Sequence, residues 1–590
     1  MKQFFKFMFA SMFGFILTIV IFIFIMVGII SSLSTKEEVV VHKKTVLVMD
    51  LDVPISDRSP KNPLESFDFE PFAAFKTLGL NDILSTIDKA KNDNRIEGIY
   101  MSLDIIPSGF SVIEEIRNAL IDFKESGKFI ITYSEVLTQK AYYLASVSDE
   151  IYLNPEGMLE FIGLKGNAVF IKGTLEKLEI KPQILRGKNN KFKSAVEPLI
   201  LDKMSESSKT QIEALITSIW DHMASNIADE REIKLEDINT IAENMQIRLA
   251  NDALKYKFVD FLYYKDQVLD NIKTRLEVEE IDDIKHITIN EYKNVSVKAA
   301  KKKKRGKDKI AIVYASGDIV MGKGDEESIG SETISKAIRQ ARLDDKIKAI
   351  VLRVNSPGGS ALASEIIWRE VDLARKTKKV VVSMGNLAAS GGYYISCAAD
   401  TIVCDPQTIT GSIGVFGVVF NMKDFFNNKL GITFDHVKTH EHADFAEMNR
   451  PLSEFEAEII QTFIDDIYNT FLQHVADGRK LDIEYVDSIA MGRVWSGLDA
   501  KEIGLVDVIG GIESAEKIAA YMAGIEDYRV VYLPKQKDPI DQIIEGLTGN
   551  TKTSVIKEEL GANYTIYEEY KNAIRMQGIQ ARIPFKIEIN

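Results

Sequence analysis

The sequence is short of cysteine, of positive charge and of histidine, and each shortage excludes a class of protein. Its 590 residues include only two cysteines, Cys397 and Cys404, so a disulfide framework is excluded and a cysteine metal site is unsupported. The formal net charge of −14 argues against a general nucleic-acid binder. The seven histidines are scattered, and the local pair His440 and His442 has no third ligand in sight. We therefore predict no metal and no cofactor.

Charge is also missing between Lys6 and Lys36. The run from Phe7 to Ile30 is almost wholly Phe, Ile, Met, Leu and Val, and it exceeds the roughly 20 residues that a bilayer core requires. It lacks a small-residue cleavage site, and no cysteine is available for a lipid anchor. We predict one uncleaved transmembrane helix at about residues 7–31, within an anchor and stalk of residues 1–43. Lysines flank the run on both sides, so charge does not orient it.

The rest of the chain has a soluble α/β pattern. In residues 44–297, β-branched runs at 46–49, 99–103 and 129–132 alternate with helical stretches such as 111–123. A basic stretch at residues 298–309 follows, which we interpret as a solvated linker, with binding to an anionic membrane surface as the alternative. The pattern then starts again in residues 310–590.

This second pattern is an internal repeat of the first. Three pairs of segments match without a gap at one offset of 251 residues. They are 93–104 with 344–355, 141–144 with 392–395, and 148–155 with 399–406. The sequence therefore predicts a tandem duplication of one α/β unit of about 250 residues.

Ser390 stands where a strand over Val380–Met384 passes through small residues into a helix. Its hydroxyl is then near a helix N-terminus, where unpaired N–H groups favour a developing anion. Taken alone, Ala388-Ala-Ser-Gly-Gly392 is equally typical of tight packing with a serine cap. At the matching position of the first repeat stands Gln139, so that repeat has no nucleophile there.

A second motif, Asn355-Ser-Pro-Gly-Gly-Ser360, follows a strand of the second repeat. Two glycines let the backbone approach a substrate closely, which fits an oxyanion hole made by the amides of Gly358 and Gly359. The alternative is a type II turn after Pro357. The first repeat has Pro107 opposite Gly358, and proline has no N–H to donate.

A serine nucleophile needs a base, and no histidine lies near Ser390 in an obvious motif. The first repeat supplies Lys193, with Lys188 and Lys191 as near competitors, whereas the second repeat has Asp444 or Phe445 at that place. A surface lysine is the alternative interpretation of any one of them. A lysine base must be neutral, and burial between the two repeats would lower its pKa enough.

A hydroxyl could orient that lysine. The candidate is Ser412 in Thr410-Gly-Ser-Ile-Gly-Val-Phe-Gly417, and its counterpart in the first repeat is Phe161. Each repeat thus lacks what the other has, which is the pattern expected if one site lies between them.

Together these motifs resemble the signal peptide peptidase A family, in its double-length form. The resemblance implies a ClpP/crotonase fold in each repeat and a serine–lysine peptidase. It assigns Ser390 as nucleophile, Lys193 as general base, Gly358 and Gly359 as the oxyanion hole, and Ser412 as the hydroxyl that orients the lysine.

The family resemblance also implies a homotetramer, with the catalytic part on the outer, periplasmic face of the cytoplasmic membrane. The expected substrates are apolar remnants of signal peptides in or near the lipid bilayer. The alternatives are a crotonase-type acyl-CoA enzyme and a non-catalytic membrane scaffold. Whether Lys193 meets Ser390 of its own chain or of a neighbour stays open in the sequence, as does the cleavage preference.

Overall fold

The structure is a computed structural model. It describes residues 40–59, 77–295, 306–536 without 326, 576–583 and 588–589, and most positions among the first 21. Residues 6–15 are helical, and no helix within the described ranges is long and apolar enough to cross a membrane. Residues 22–31 of the expected anchor helix and 298–305 of the basic linker lie outside the described residues.

The strands of the first repeat are short, and β1, β3, β4 and β5 are the most buried of them. They are β1 Thr45–Asp50, β2 Ile55–Ser56, β3 Leu78–Gly79, β4 Ile96–Ser102, β5 Phe129–Leu137, β6 Glu150–Leu159, β7 Gly166–Asn167, β8 Lys181–Arg186, β9 Phe261–Leu262 and β10 Lys285–Thr288.

The second repeat and the C-terminal segment supply the remaining described strands. They are β11 Asp308–Ser316, β12 Asp318–Val320, β13 Ser328–Gly330, β14 Ile347–Ser356, β15 Gly358–Ser360, β16 Lys379–Ala389, β17 Thr401–Cys404, β18 Ile409–Gly411, β19 Phe416–Asn421, β20 Val494–Ser496, β21 Val508–Ile509, β22 Tyr528–Leu533, β23 Gly578–Arg582 and β24 Glu588–Ile589.

Helices alternate with these strands. In the first repeat they are α1 Leu80–Asn92, α2 Phe110–Lys124, α3 Gln139–Ala145, α4 Lys172–Lys177, α5 Glu197–Ile200, α6 Glu206–Arg231, α7 Leu235–Glu243, α8 Ala250–Lys255, α9 Lys265–Leu276 and α10 Ile289–Tyr292. In the second they are α11 Ser331–Leu343, α12 Ala361–Arg375, α13 Gly391–Ser396, α14 Glu454–Arg479, α15 Ile483–Ala490, α16 Gly497–Glu502 and α17 Ile512–Met522.

The predicted duplication is visible in these bounds. The starts of α1 and α11, of β4 and β14, and of α2 and α12 are each 251 residues apart. The helix predicted at 111–123 and the strands predicted at 46–49 and 129–132 also lie where the pattern placed them. The α/β pattern and the repeat are therefore confirmed.

Each repeat contributes a mainly parallel sheet. The first runs β10-β1-β4-β5-β6-β9 and is parallel throughout. The second runs β20-β18-β16-β14-β11-β22, with β17 and β21 branching from β16 and only β20 antiparallel. Parallel strands are covered on both faces, which explains their nearly continuous Val, Ile and Leu runs.

A third sheet joins the two repeats. Its order is β13-β12-β15-β23-β19-β8, so a strand of the first repeat pairs with one of the second. In this pair, β8 runs antiparallel to β19, from Arg186 opposite Phe416 to Lys181 opposite Asn421. The two repeats are thus not structurally separate, because β8 of the first repeat pairs with β19 of the second.

The interface between the repeats holds a buried ionic network. Arg353, which is fully buried, donates to Asp57 Oδ1 at 2.8 Å, to Glu115 Oε1 at 2.6 Å and to Ser383 Oγ at 2.8 Å. The two carboxylates come from the first repeat and Arg353 comes from β14. A buried guanidinium is stable only when its charge and its donors are matched in this way.

Replacing Arg353 by Met should lower the free energy of unfolding by about 3–5 kcal/mol, because two buried carboxylates lose their partner. Urea unfolding of the purified protein measures this. Arg529→Met, at an exposed position of β22, is the control and should change the free energy by less than about 0.5 kcal/mol. Equal effects in the two variants would contradict a stabilising role for the network.

Candidate active site

Ser390 lies at a sharp turn between β16 and α13. Its backbone has φ 54° and ψ −112°, a conformation that serine rarely adopts. Its N–H donates to Gly411 O at 2.8 Å, which ties the turn to the end of β18. Strained backbone of this kind persists where surrounding structure holds it, and it is found at nucleophiles that follow a strand.

Lys193 reaches Ser390 because β8 carries the chain of the first repeat along β19 of the second. Beyond β8, Asn190 Nδ2 donates to Val415 O at 2.7 Å, and Phe192 N donates to Met491 O at 2.9 Å. The loop before Lys193 is therefore hydrogen-bonded to two separate segments of the second repeat. A 3₁₀ turn over Ser194–Val196 follows at once.

The predicted serine and lysine meet within one chain. Lys193 Nζ lies 2.7 Å from Ser390 Oγ, 2.9 Å from Ser412 O and 3.0 Å from Ser412 Oγ. Exposure is 1% for Lys193 and 0% for both serines. These contacts join residues from both repeats, and the distance to Ser390 Oγ is within the range for direct proton transfer.

Burial lowers the pKa of Lys193 well below its ordinary value of 10.5. The three oxygens that Nζ contacts belong to two serines, and none of them carries a charge. A neutral amine has two N–H donors and one lone pair. Ser412 O must accept one N–H, and Ser412 Oγ can accept the other, which leaves the lone pair for the Ser390 hydroxyl.

Ser412 is held in place by its backbone. Its φ is 49°, its N–H donates to Arg493 O at 2.6 Å, and its Oγ lies 3.3 Å from Gly492 O, to which it can donate. The segment 491–494 therefore contacts both Ser412 and the loop before Lys193. No feature of the sequence pointed to this segment.

Gly492 shows how closely the segment approaches the lysine. Its φ is 73°, and a Cβ added to it would lie 2.5 Å from Lys193 Cβ. Any larger residue there must move either its own backbone or the lysine.

Gly358 and Gly359 lie in the short strand β15. The φ of Gly358 is 97°, and an added Cβ would lie 2.7 Å from Gly391 N. Only glycine permits the motif to lie this close to the residue that follows Ser390. A Cβ on Gly359 would instead lie against Ile319 on β12, at 2.2 Å from its carbonyl oxygen.

Gln211, on α6, is a site residue that the sequence reasoning missed. Its Nε2 donates to Phe192 O at 2.9 Å and to Ser194 Oγ at 3.0 Å, and its Oε1 accepts from Val494 N at 3.3 Å. Gln211 thus forms hydrogen bonds to both sequence neighbours of Lys193 and to the segment 491–494. Its only sequence signal is a place on the buried face of a long helix, which many residues share.

The matching place in the first repeat is closed by its glutamine. Gln139 Oε1 accepts from Ile162 N at 3.1 Å and Gly163 N at 2.9 Å, while Nε2 donates to Gly163 O at 3.1 Å. Phe161, opposite Ser412, packs in a buried aromatic group with Tyr142 and Phe258. An amide side chain and a buried aromatic group thus stand in the first repeat where Ser390 and Ser412 stand in the second.

The remaining question is whether histidines and cysteines form a metal site. Within the described ranges no three metal-ligating side chains come together. Cys397 and Cys404 are unbonded and buried, and burial raises the pKa of the Cys397 thiol to about 12.

Comparison with known proteins identifies the family. The model of peptidase family S49 matches residues 122–279 and 372–526, which together are more than half of the chain. A Clp protease model matches residues 301–405. This chain belongs to peptidase family S49. The double match confirms the tandem duplication, and the two family models confirm a mixed α/β, ClpP-like fold.

Three similar proteins align with most of this chain. The chloroplastic serine protease SPPA of Arabidopsis thaliana is 32% identical over 548 residues, which are 92% of this chain and 78% of that protein. Protease 4 of Salmonella typhi is 34% identical over 484 residues, or 80% of this chain and 76% of its own. Protease 4 of Haemophilus influenzae is 33% identical over 563 residues, or 90% and 88%.

Among solved structures, a single-substitution mutant of ClpP1 from Listeria monocytogenes matches 35% of the S49 chain and 93% of its own chain. The identity is 18% and the TM-score is 0.24, which is too low to bear on the fold. The relatives therefore establish the S49 peptidase family, and the predicted roles of Ser390, Lys193, Gly358, Gly359 and Ser412 remain predictions.

Gly492→Ala should lower kcat/KM for peptide hydrolysis by about 100-fold, because a shift of about 1 Å in a catalytic group costs that much. Gly504→Ala is the matched control: its φ is 81°, but an added Cβ would lie no closer than 3.6 Å to a neighbour. It should lose stability and keep activity. If both variants lose activity alike, the contact of Gly492 with Lys193 does not matter for function.

Proposed function

We propose that this protein is a serine endopeptidase in which Lys193 is the general base for Ser390. The observation that supports this most strongly is the 2.7 Å contact between a fully buried lysine amine and the serine oxygen in one chain. A lysine becomes a base at neutral pH only when its pKa is lowered, and burial has that effect here.

The reaction follows the logic of other serine hydrolases. Neutral Lys193 takes the proton of the Ser390 hydroxyl as Oγ attacks the carbonyl carbon of the peptide. The lysine ammonium then protonates the leaving amine as the C–N bond breaks and the acyl-enzyme forms. A water gives its proton to Lys193 and attacks the ester, and the acid product leaves as Ser390 recovers its proton.

The negative oxygen of each tetrahedral intermediate needs N–H donors. The Gly358 N–H, which donates to Ser356 Oγ at 3.2 Å here, would exchange that bond for one to the oxyanion. We propose this amide together with that of Gly359, as the sequence predicts, and we add Gly391. Its N–H begins a helix and so has no partner within it, and it lies beside Gly358. Removing one such donor typically costs about 100- to 1000-fold in kcat.

Ser412 would orient the lysine. Its carbonyl and hydroxyl oxygens both contact Nζ, so they direct the N–H groups away from Ser390 and leave the lone pair toward it. The backbone hydrogen bond from Ser412 N to Arg493 O holds these two oxygens in place.

We further propose that the substrates are apolar remnants of signal peptides in or near a bilayer. The apolar run before Lys36 would anchor the enzyme there as a single-pass protein of the cytoplasmic membrane. A periplasmic catalytic part and a homotetramer are what the family resemblance implies. The relatives named serine protease SPPA and Protease 4 fit a peptide substrate.

Ser390→Ala and Lys193→Met should each lower kcat by about 10⁴-fold or more, because members of such a catalytic unit act together. Peptide hydrolysis and labelling of Ser390 by a serine-directed acylating probe are the two measurements. Lys191→Met is the matched control, since Lys191 is an exposed lysine two residues away. It should keep full activity.

Each alternative predicts a different result. A crotonase-type enzyme relies on carboxylates and would retain its reaction in Ser390→Ala. A non-catalytic scaffold would show no labelling of Ser390 in the unmodified protein. Peptidase activity that persists in pure Ser390→Ala enzyme would overturn the proposed mechanism.

The rate should rise with pH. The active form has a neutral Lys193, so kcat/KM is low in acid and increases as pH passes the lowered pKa, reaching its plateau well below 10.5. A pH–rate profile of peptide hydrolysis measures this, with thermal unfolding at each pH as the check on folding. A profile that peaks in acid and declines through neutrality would rule out lysine as the base.

A further inference from the structure

Asp57 of the first repeat lies where two strands of the second repeat leave their parallel sheet. Its Oδ2 accepts hydrogen bonds from Ser316 Oγ and from Asn355 Nδ2, both at 3.0 Å. Ser316 is the last residue of β11, and it pairs with Asn355 near the end of β14. The other oxygen of Asp57 accepts from Arg353 Nε at 2.8 Å. One buried carboxylate thus holds two neighbouring strand ends together.

The same two strands lead into the strands that carry the proposed oxyanion glycines. After Gly317 the chain of β11 continues as β12, and after Pro357 the chain of β14 continues as β15. In the third sheet β12 pairs with β15, with Ile319 opposite Gly359. The positions of the glycine amides therefore depend on the place where these strands pass from one sheet to the other.

A series of hydrogen bonds connects Asp57 to the Gly358 amide. Asn355, whose side chain donates to Asp57, accepts from Gly317 N through its own carbonyl at 2.9 Å. Ser356 Oγ then donates to Gly317 O at 2.6 Å and accepts from Gly358 N at 3.2 Å. The turn that carries the Gly358 amide is thus tied to Asn355, and Asn355 is tied to the first repeat.

The segment that carries Asp57 is itself fixed on the second repeat. The guanidinium carbon of the next residue, Arg58, lies 5.6 Å from the ring centroids of both Tyr314 and Tyr532. Its Nη1 donates to Pro534 O at 2.9 Å. Tyr314 belongs to β11 and Tyr532 to the neighbouring strand β22. The Asp57 carboxylate is therefore held in place from its own side as well.

The first repeat has a different arrangement at the matching position. The offset of 251 residues places Asp104 opposite Asn355. Asp104 Oδ1 accepts from Ser134 Oγ at 2.8 Å and from Val136 N at 3.3 Å, both within its own repeat. A carboxylate at the position of Asn355 would face Asp57 and be repelled by it. The amide of Asn355 instead donates to that carboxylate, so the second repeat has the residue type that the contact requires.

We propose that Asp57 is a positioning residue for the oxyanion hole. It holds Asn355, and through Asn355 the two glycine amides, where a tetrahedral oxyanion needs them. The first repeat then supplies both the base Lys193 and the support of the oxyanion donors. This proposal rests on the proposed function of Ser390, and it concerns the stabilisation of charge rather than the transfer of the proton.

Asp57→Asn should lower kcat for peptide hydrolysis by about 10- to 100-fold with KM unchanged, because displaced oxyanion donors weaken binding of the transition state alone. Inhibition by a peptide aldehyde, which adds reversibly to Ser390 Oγ as a tetrahedral adduct, should weaken by the same factor. The midpoint of the pH–rate profile should not move, since the groups that Lys193 Nζ contacts belong to Ser390 and Ser412.

Glu115→Gln is the matched control. It makes the same change from carboxylate to amide on the same guanidinium, but Glu115 bonds to Arg353 Nη2 and Ile512 N, and neither belongs to the oxyanion motif. Both variants should lose stability in urea unfolding, whereas Glu115→Gln should keep its kcat.

An exchange of the two residues tests the contact itself. Asp57→Asn combined with Asn355→Asp keeps one amide and one carboxylate in the pair and reverses donor and acceptor, so it should restore most of the kcat that Asp57→Asn loses. Asn355→Ala removes the same contact and leaves Asp57 paired with Arg353. It should show the same loss of kcat, and it decides the question if Asp57→Asn does not fold.

The outcomes separate this proposal from the proposed function. If an acylating probe never labels Ser390 in the unmodified protein, the serine–lysine mechanism fails. If Ser390 is labelled and Asn355→Ala keeps its full kcat, the mechanism stands and the positioning role of Asp57 is wrong. An equal loss of kcat in Glu115→Gln and Asp57→Asn would also overturn that role, since it would trace the loss to the ionic network as a whole.

Discussion

The active-site geometry depends on the antiparallel pairing of β8 with β19. A lysine amine beside a serine hydroxyl can act as a base near neutral pH only when burial lowers its pKa, and Lys193 is buried here. The pairing carries the chain of the first repeat into the third sheet, beside a strand of the second repeat, and ends a short loop before Lys193. The ionic network around Arg353 is a second contact between the repeats.

Duplication explains how such a site can arise from one fold. Each repeat retains the strand–turn–helix unit, but the residues at the turns differ. In the second repeat the turn holds Ser390 in a strained conformation, while in the first Gln139 satisfies the backbone of 162–163 and closes the same place. The first repeat instead contributes Lys193, which lies 2.7 Å from Ser390 Oγ.

Backbone hydrogen bonds hold the two serines of the proposed site in position. Ser390, Ser412 and Gly492 all have positive φ, and bonds to neighbouring backbone hold Ser390 and Ser412. Strain in the backbone is tolerated where several contacts determine one conformation.

Residue patterns along the chain were enough to predict the duplication and the α/β class. Position-by-position comparison of the repeats singled out Ser390 and Gly358, because each stood opposite a residue unable to take its place. Only the family resemblance distinguished Lys193 from Lys188 and Lys191. The folded chain was needed to show that Lys193 lies 2.7 Å from Ser390 of the same chain, and that Gln211 and the segment 491–494 contact their surroundings. The position of β23 between β15 and β19 is likewise visible only in the fold. These contacts join residues far apart along the chain, and no local pattern of hydrophobicity or charge records which distant strand edges will pair.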